Sequence, residues 1–300
     1  MINMAAHNMN RNMTVLGLKF DYRLLIILPV ALLIFSSYVL LNSYLTTGEW
    51  FVRGIELKGG TMLSIKTGQP THAADIEKAL STDFGKLIVR ELRGFGEYGA
   101  SIEMDSSVDY KKVMDRLTGS GIKITDFSVE NTGPSLSTLF WSQAQMAIIL
   151  AFVLIWIITF IVFRTVLTSF TTMLSAISDL LMTMAFMQIF GIEFSLASLG
   201  ALLMMLGYSV DTDIMLNSRL RKDSGEDVNQ KVGGAVKTGL TMTFTSIGAV
   251  GAILLTPVPD VLIQIASVLF IGLFADIVNT WFFNSPMLRW YFETRGARNA

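Results

Sequence analysis

Apolar residues fall into six long blocks along this chain, and the stretch between the first two blocks changes to short alternations. The first block covers residues 24–45, and five more follow at 143–163, 166–190, 194–217, 240–256 and 261–283. A helix of about 20 predominantly apolar residues crosses the hydrocarbon core of a bilayer, and each block approaches that length. Six transmembrane helices in a one-plus-five arrangement are predicted. Pro29 falls in the first turns of the first block, where a proline sacrifices few hydrogen bonds. No small-residue cleavage site closes that block, so it reads as a retained anchor. Residues 1–23 before it are polar and irregular.

The alternating stretch predicts strands at 61–66, 86–92, 99–104 and 122–129 and helices at 71–80, with Thr71 as N-cap, and at 107–117. Turn signals at Gly68-Gln69-Pro70, 94–99 and Gly119-Ser120-Gly121 separate them. The order βαββαβ is the ferredoxin-like arrangement. An additional strand at 50–57 is expected before it, turning at Gly59-Gly60. The fold class is therefore a polytopic α-helical membrane protein with six transmembrane helices (1+5) and an α+β ferredoxin-like extracytoplasmic domain between the first and second spans. Its expected division is 1–23 cytoplasmic, 24–45 first span, 46–139 outer domain, 140–285 five-helix bundle and 286–300 cytoplasmic.

Composition supports the membrane reading, with 52% hydrophobic residues, 16% charged residues and a mean hydropathy of +0.53. Residues 46–139 hold 11 of the 23 Lys and Arg and 13 of the 24 Asp and Glu, as a water-facing domain would. Orientation follows from the short loops. Arg11, Lys19 and Arg23, then Arg164, then Arg219, Arg221, Lys222, Lys231 and Lys237, then Arg289, Arg295 and Arg298 lie on one side, while 191–193 and 257–260 hold no Lys or Arg. The positive-inside rule puts both termini in the cytoplasm of a multi-pass plasma-membrane protein. With no Cys there is no disulfide framework or thiolate chemistry. A net charge of -1 and a pI near 6.1 argue against nucleic acid as a partner. No nucleotide-binding loop, zinc spacing or Ser/His/Asp order occurs, and His7 and His72 read as solvated residues. Neither metal, cofactor nor catalytic residue is expected, and the chain does not read as an enzyme.

Candidate chemistry lies within the spans, at Asp179, at Asp211 and Asp213, and at Asp276 with Asn279. An ionised Asp at the centre of a spanning helix costs roughly 3 kcal/mol, so each needs a reason. At 100° per residue Asp211 and Asp213 point about 200° apart, so one faces the bundle core and the other a second surface. Asp213 and Asn217 are four apart and extend a polar stripe toward Arg219. The fifth block, rich in Gly, Thr, Ser and Ala, is expected to pack closely against the fourth and to offer hydroxyls to a buried carboxyl. The carboxyls either fix helix register through hydrogen bonds to hydroxyls, or take up and release protons. Asp211 ranks first for protons, while Asp213, six residues from Arg219, Asp179 and Asp276 lean toward structure.

Three short motifs occur in order: Gly54-Ile55-Glu56-Leu57-Lys58-Gly59-Gly60-Thr61 after the first span, Gly133-Pro134-Ser135-Leu136 before the second, and Gly207-Tyr208-Ser209-Val210-Asp211 running on to Arg219-Leu220-Arg221. Together with the layout they resemble the SecF family of the Sec protein-export machinery, relatives of the resistance-nodulation-division transporters. Bacterial members usually read Asn-Asp where this chain has Asp211-Thr212, carry an Arg that aligns with Met242, and differ at Leu57-Lys58, so the resemblance is to an archaeal type. It implies a heterodimer with SecD, docking on the SecY channel complex, contact with a translocating unfolded polypeptide, and coupling to the proton-motive force. Two other readings remain open: an intramembrane aspartyl protease using Asp179 with Asp211 or Asp213, and a self-sufficient exporter of small molecules.

Overall fold

The computed structural model describes residues 12–15, 18–21, 25–67, 72–84, 87–94, 97–105, 108–222, 228–256 and 258–290. Thr71, the turn at 68–70, Pro257, Arg11, Arg23, Arg295, Arg298 and His7 lie outside them. Within the N-terminal segment expected to be irregular, β1 (Asn12–Val15) and β2 (Leu18–Asp21) pair antiparallel. β-branched Thr14 and Val15 and aromatic Phe20 favour extended backbone there.

The first span, α1, runs Ile27–Thr47 and ends at Gly48 in the left-handed conformation, φ 78°. Residues 50–57, expected as a strand, pair with no strand of the sheet. Arg53 makes one parallel bridge to Phe194, and a short helix, α2 (Ile55–Lys58), follows. The alternation that suggested a strand instead buries Ile55 and Leu57, each 2% exposed, with Leu57 inside the apolar core of the membrane bundle.

The domain expected to be the outer one follows as β3 (Gly60–Thr67), α3 (Ala73–Phe84), β4 (Ile88–Gly94), β5 (Glu97–Met104), α4 (Tyr110–Gly119) and β6 (Ile124–Thr132). The sheet order is β4-β5-β3-β6, every pair antiparallel. Leu63 and Ile65 of β3 and Ala100 and Ile102 of β5 pack under Ile76 and Leu80 of α3 and Val113 and Leu117 of α4, all fully buried. The second helix starts later than expected, because Asp109 caps it by accepting from Lys111 N–H at 3.0 Å.

Five long helices follow: α5 (Pro134–Phe163), α6 (Val166–Ile189), α7 (Leu196–Arg221), α8 (Val228–Leu254) and α9 (Asp260–Asn279). The second span thus begins at Pro134, earlier than the apolar block, and the boundary expected at 139 moves to Gly133. A proline at the first helical position loses no bond, and its fixed φ starts the helix directly behind β6. Past α9 a π-helical turn, Thr280–Asn284, leads into further helix ending at Trp290. Residues 286–290, assigned by sequence to a cytoplasmic tail, instead continue the bundle, with Leu288 1% and Arg289 0% exposed.

Five helices, α1, α5, α6, α7 and α9 with its extension, are long and apolar enough to cross a membrane among the described residues. The fifth apolar block forms α8, 27 residues long but diluted by Thr, Ser and Gly. As expected it packs against α7, and at Gly239 it closes on the π-helical turn after α9: a Cβ there would lie 2.2 Å from the Trp281 ring.

Candidate functional site

α7 is pinned at both ends. At its start Ser195 and Ser198 form a reciprocal capping box, and the Leu196 N–H, which the box leaves free, donates to Glu56 Oε2 at 2.7 Å. At its finish the Arg221 guanidinium donates to the Phe163 carbonyl, the last of α5, and Arg219 donates to Thr238 Oγ1 of α8 at 2.8 Å. Arg164, just past α5, holds the left-handed backbone that turns the chain into α6, φ 50°.

Between those ends α7 carries its polar residues on two opposite faces. Ser209, Asp213 and Asn217 recur every fourth residue and are fully buried. Ser175, Asp179 and Thr183 repeat that spacing on α6, and Asp276, Thr280 and Asn284 repeat it on α9 and its extension, all of them buried. Helical geometry puts each trio on one face, and the three faces converge. Ser209 donates to Asp179 Oδ2 at 2.5 Å, and Asn279 donates to Asp179 Oδ1 at 2.6 Å while accepting from Ser178 at 3.2 Å. The Thr280 hydroxyl stands between two carboxyls, 2.9 Å from Asp276 Oδ1 and 3.3 Å from Asp213 Oδ1. Asn217 anchors its amide on the Asp213 backbone carbonyl at 3.0 Å. Asn284 lies beside Asp213, and Asn217 Oδ1 and Ser285 Oγ are buried without a hydrogen-bond partner. The centre is therefore a polar seam with spare hydrogen-bonding capacity, able to hold a proton or a water.

Asp211 lies on the other face of α7, exposed beside Tyr208, 44% exposed, with Met204, 51% exposed, two turns before it. The 200° argument holds, with Asp213 as the inward member. Asp179, Asp213 and Asp276 are brought together, and Asp211 is not. Met242, aligned with the missing basic residue, is likewise exposed, on α8. Gly207 is exposed on the face of Asp211, whereas Ser209 is buried against Asp179. Gly59 and Gly60 open the sheet with positive φ, 83° and 137°, and at Gly60 a Cβ would stand 2.9 Å from the Met104 carbonyl oxygen. Gly133 and Pro134 start α5.

Sequence reasoning passed over Thr280, which bonds Asp276 and Asp213, and Ser178, which bonds Asn279. The repeat of polar residues every four positions in three separate spans was the available signal. No group of three or more His, Cys, Asp and Glu residues suited to a metal occurs among the described residues.

Several apolar helices packed around a polar seam, with an α+β domain inserted after the first, define a multi-pass membrane protein. Residues 112–294 match the family described as protein export membrane protein SecD/SecF, C-terminal. The chain is 36% identical over 280 residues to SecF of Methanothermobacter thermautotrophicus, covering 92% of this chain and 94% of that protein. It is 33% identical over 278 residues to SecF of Pyrococcus furiosus, covering 92% and 93%. The chain belongs to the SecF branch of the SecD/SecF family, and these relatives are archaeal. Its structure also resembles that of SecDF, a translocon-associated membrane protein from Thermus thermophilus, with a TM-score of 0.76 over 90% of this chain at 20% identity. This chain spans 38% of the length of that one.

Proposed function

We propose that the chain is an accessory subunit of the Sec translocase that acts with a separate SecD to promote export of unfolded polypeptides through the SecY channel, driven by the proton-motive force. The observation that carries this is the exposed Asp211. It lies ten residues before the end of α7 at Arg221, about 15 Å along the axis, and so within the hydrocarbon zone. A carboxylate left against lipid there costs roughly 3 kcal/mol, and a covering protein surface removes that cost. The match to only 38% of the Thermus SecDF chain supports the same reading, since a separate SecD would supply the remainder.

In this arrangement α8 is the sixth span. Thr238, Thr241, Thr243 and Thr245 each donate to the carbonyl four residues back, so these four hydroxyls meet no lipid unpaired. The βαββαβ unit is a ferredoxin-like extracytoplasmic domain that meets the emerging polypeptide, and both termini are cytoplasmic. Asp211 is the first proton-handling candidate, with Asp213, Asp179 and Asp276 behind it. One charge moved through 100 mV yields about 2.3 kcal/mol, enough to drive a conformational step.

Co-purification from native membranes tests the partnership. A SecD-type partner should accompany the chain, and cysteines at Tyr208 and Met242 should cross-link to it. A chain that runs alone or as a homotrimer, with no such cross-links, contradicts the reading.

A further inference from the structure

Residues 51–61 contain the motif that follows the first span, and they touch three parts of the molecule at once. The Phe194 N–H donates to the Val52 carbonyl at 2.8 Å and the Gly54 N–H to the Phe194 carbonyl at 3.0 Å, which lays this segment along the entry to α7. Gln188, near the end of α6, accepts from the Val52 N–H at 3.2 Å and donates to Ser43 of α1 at 3.1 Å. Phe51 packs tilted against Phe194 with ring centres 4.6 Å apart, and Arg53 lies 5.1 Å over the Trp141 ring of α5.

Glu56 then fills a specific gap. The first turn of a helix presents N–H groups with no partner inside the helix. The capping box of α7 satisfies Ser195 and Ser198 within its own turn, and the Leu196 N–H is taken by Glu56, 140 residues away in sequence. The carboxylate also stands at the positive end of the helix dipole. Two residues further on, Lys58 Nζ donates to Glu103 Oε2 of β5 at 2.8 Å, where the Glu103 side chain is 3% exposed. Between them Leu57 is buried in the same apolar cluster as Leu199 and Leu202 of α7. One short helical turn thus grips the head of α7 with one side chain and strand β5 of the outer domain with another.

We propose that Glu56 is a positioning residue that ties the outer domain to α7, so that movement of the domain sets the placement of Asp211. The proposal rests on the reading of Asp211 given above. The link is mechanical: α7 cannot shift relative to the domain without breaking a charge-assisted hydrogen bond at its first N–H or the Lys58–Glu103 pair.

The test uses the complex with its native partner in sealed membrane vesicles, reading amide hydrogen exchange at the start of α7, export, and Asp211-dependent proton uptake. Glu56→Ala should speed exchange of the Leu196 amide about fivefold, the effect of losing a helix cap, and lower export by a similar factor. Proton uptake should persist, because Asp211 itself is untouched. Glu56→Gln, whose side-chain carbonyl still accepts from Leu196, should restore both exchange and export. Lys58→Ala should lower export with uptake intact while leaving the Leu196 amide protected. Unchanged exchange and export in Glu56→Ala, or joint loss of export and uptake without rescue by Gln, would overturn the proposal. A wild-type complex lacking Asp211-dependent uptake would count against the proton reading alone, and exchange and export would still decide on Glu56.

Discussion

The outer domain seals a core built of apolar residues, whereas the membrane bundle seals a polar seam alongside its apolar clusters. Under α3 and α4 the domain seals Leu63, Ile65, Ile102 and Leu117, all 0% exposed. The bundle seals Asp179, Asp213, Asn217, Asn284 and a row of hydroxyls, while Ile149 and Ile161 of α5 point outward at 66% and 65% exposure. In water, removing apolar surface drives folding. In a bilayer the surroundings are already apolar, so burying an isoleucine gains nothing and helices are matched by close packing and polar contacts.

The largest expected effect follows from the water-facing side. Ile102→Ala should destabilise the outer domain by about 3 kcal/mol, through lost burial plus the cavity left behind. The equivalent cut at the outward Ile149 should change bundle stability little. Protease susceptibility of the outer domain and thermal unfolding of the whole protein in lipid would read the two, and equal losses would break the contrast.

Next comes packing inside the bundle. Gly239→Ala sets a methyl 2.2 Å from Trp281 and should cost about 2 kcal/mol, in line with overpacked sites. Thermal unfolding in lipid is again the measurement. Ser209→Ala removes the 2.5 Å donor to Asp179 and should cost about 1 kcal/mol, the scale of interhelical hydrogen bonds in membranes. A larger loss for Ser209 than for Gly239 would mean that polar contacts, not close packing, hold the helices.

The smallest effect lies where the two regions meet. Glu130 of β6 is pushed above the ordinary carboxyl value of 4.5, first by partial burial and then by Glu56 and Asp260. Its folded form therefore prefers to stay protonated. The stability it contributes is full below about pH 4.5 and is lost as pH rises through the raised value. Glu130→Gln should melt slightly above the native protein at neutral pH and coincide with it in acid. A difference that grows toward acid would reverse the sign.

The same contrast explains how much could be read in advance. Alternation in 61–66 and 99–104 located the central strands because that sheet has one apolar face, and five of the six apolar blocks located helices long and apolar enough to cross a membrane. Residues 50–57 misled because Ile55 and Leu57 alternate around Glu56 to dock on the bundle rather than to line a sheet. In the spans, hydropathy treats every side of a helix alike, so it marked Asp211 and Asp213 equally. Periodicity separated their directions, but which of them faced inward depended on Ser175, Asp179 and Thr183 and on Asp276, Thr280 and Asn284 lining up on the neighbouring helices.

The division of α7 into a sealed face carrying Asp213 and an open face carrying Asp211 is tested most directly by export, at a fixed proton-motive force, from vesicles carrying single Asn substitutions. Asp211→Asn should impair export strongly, with Asp213→Asn and Asp276→Asn doing less. Undiminished export from all three would contradict proton handling at Asp211 and leave these carboxyls a structural role.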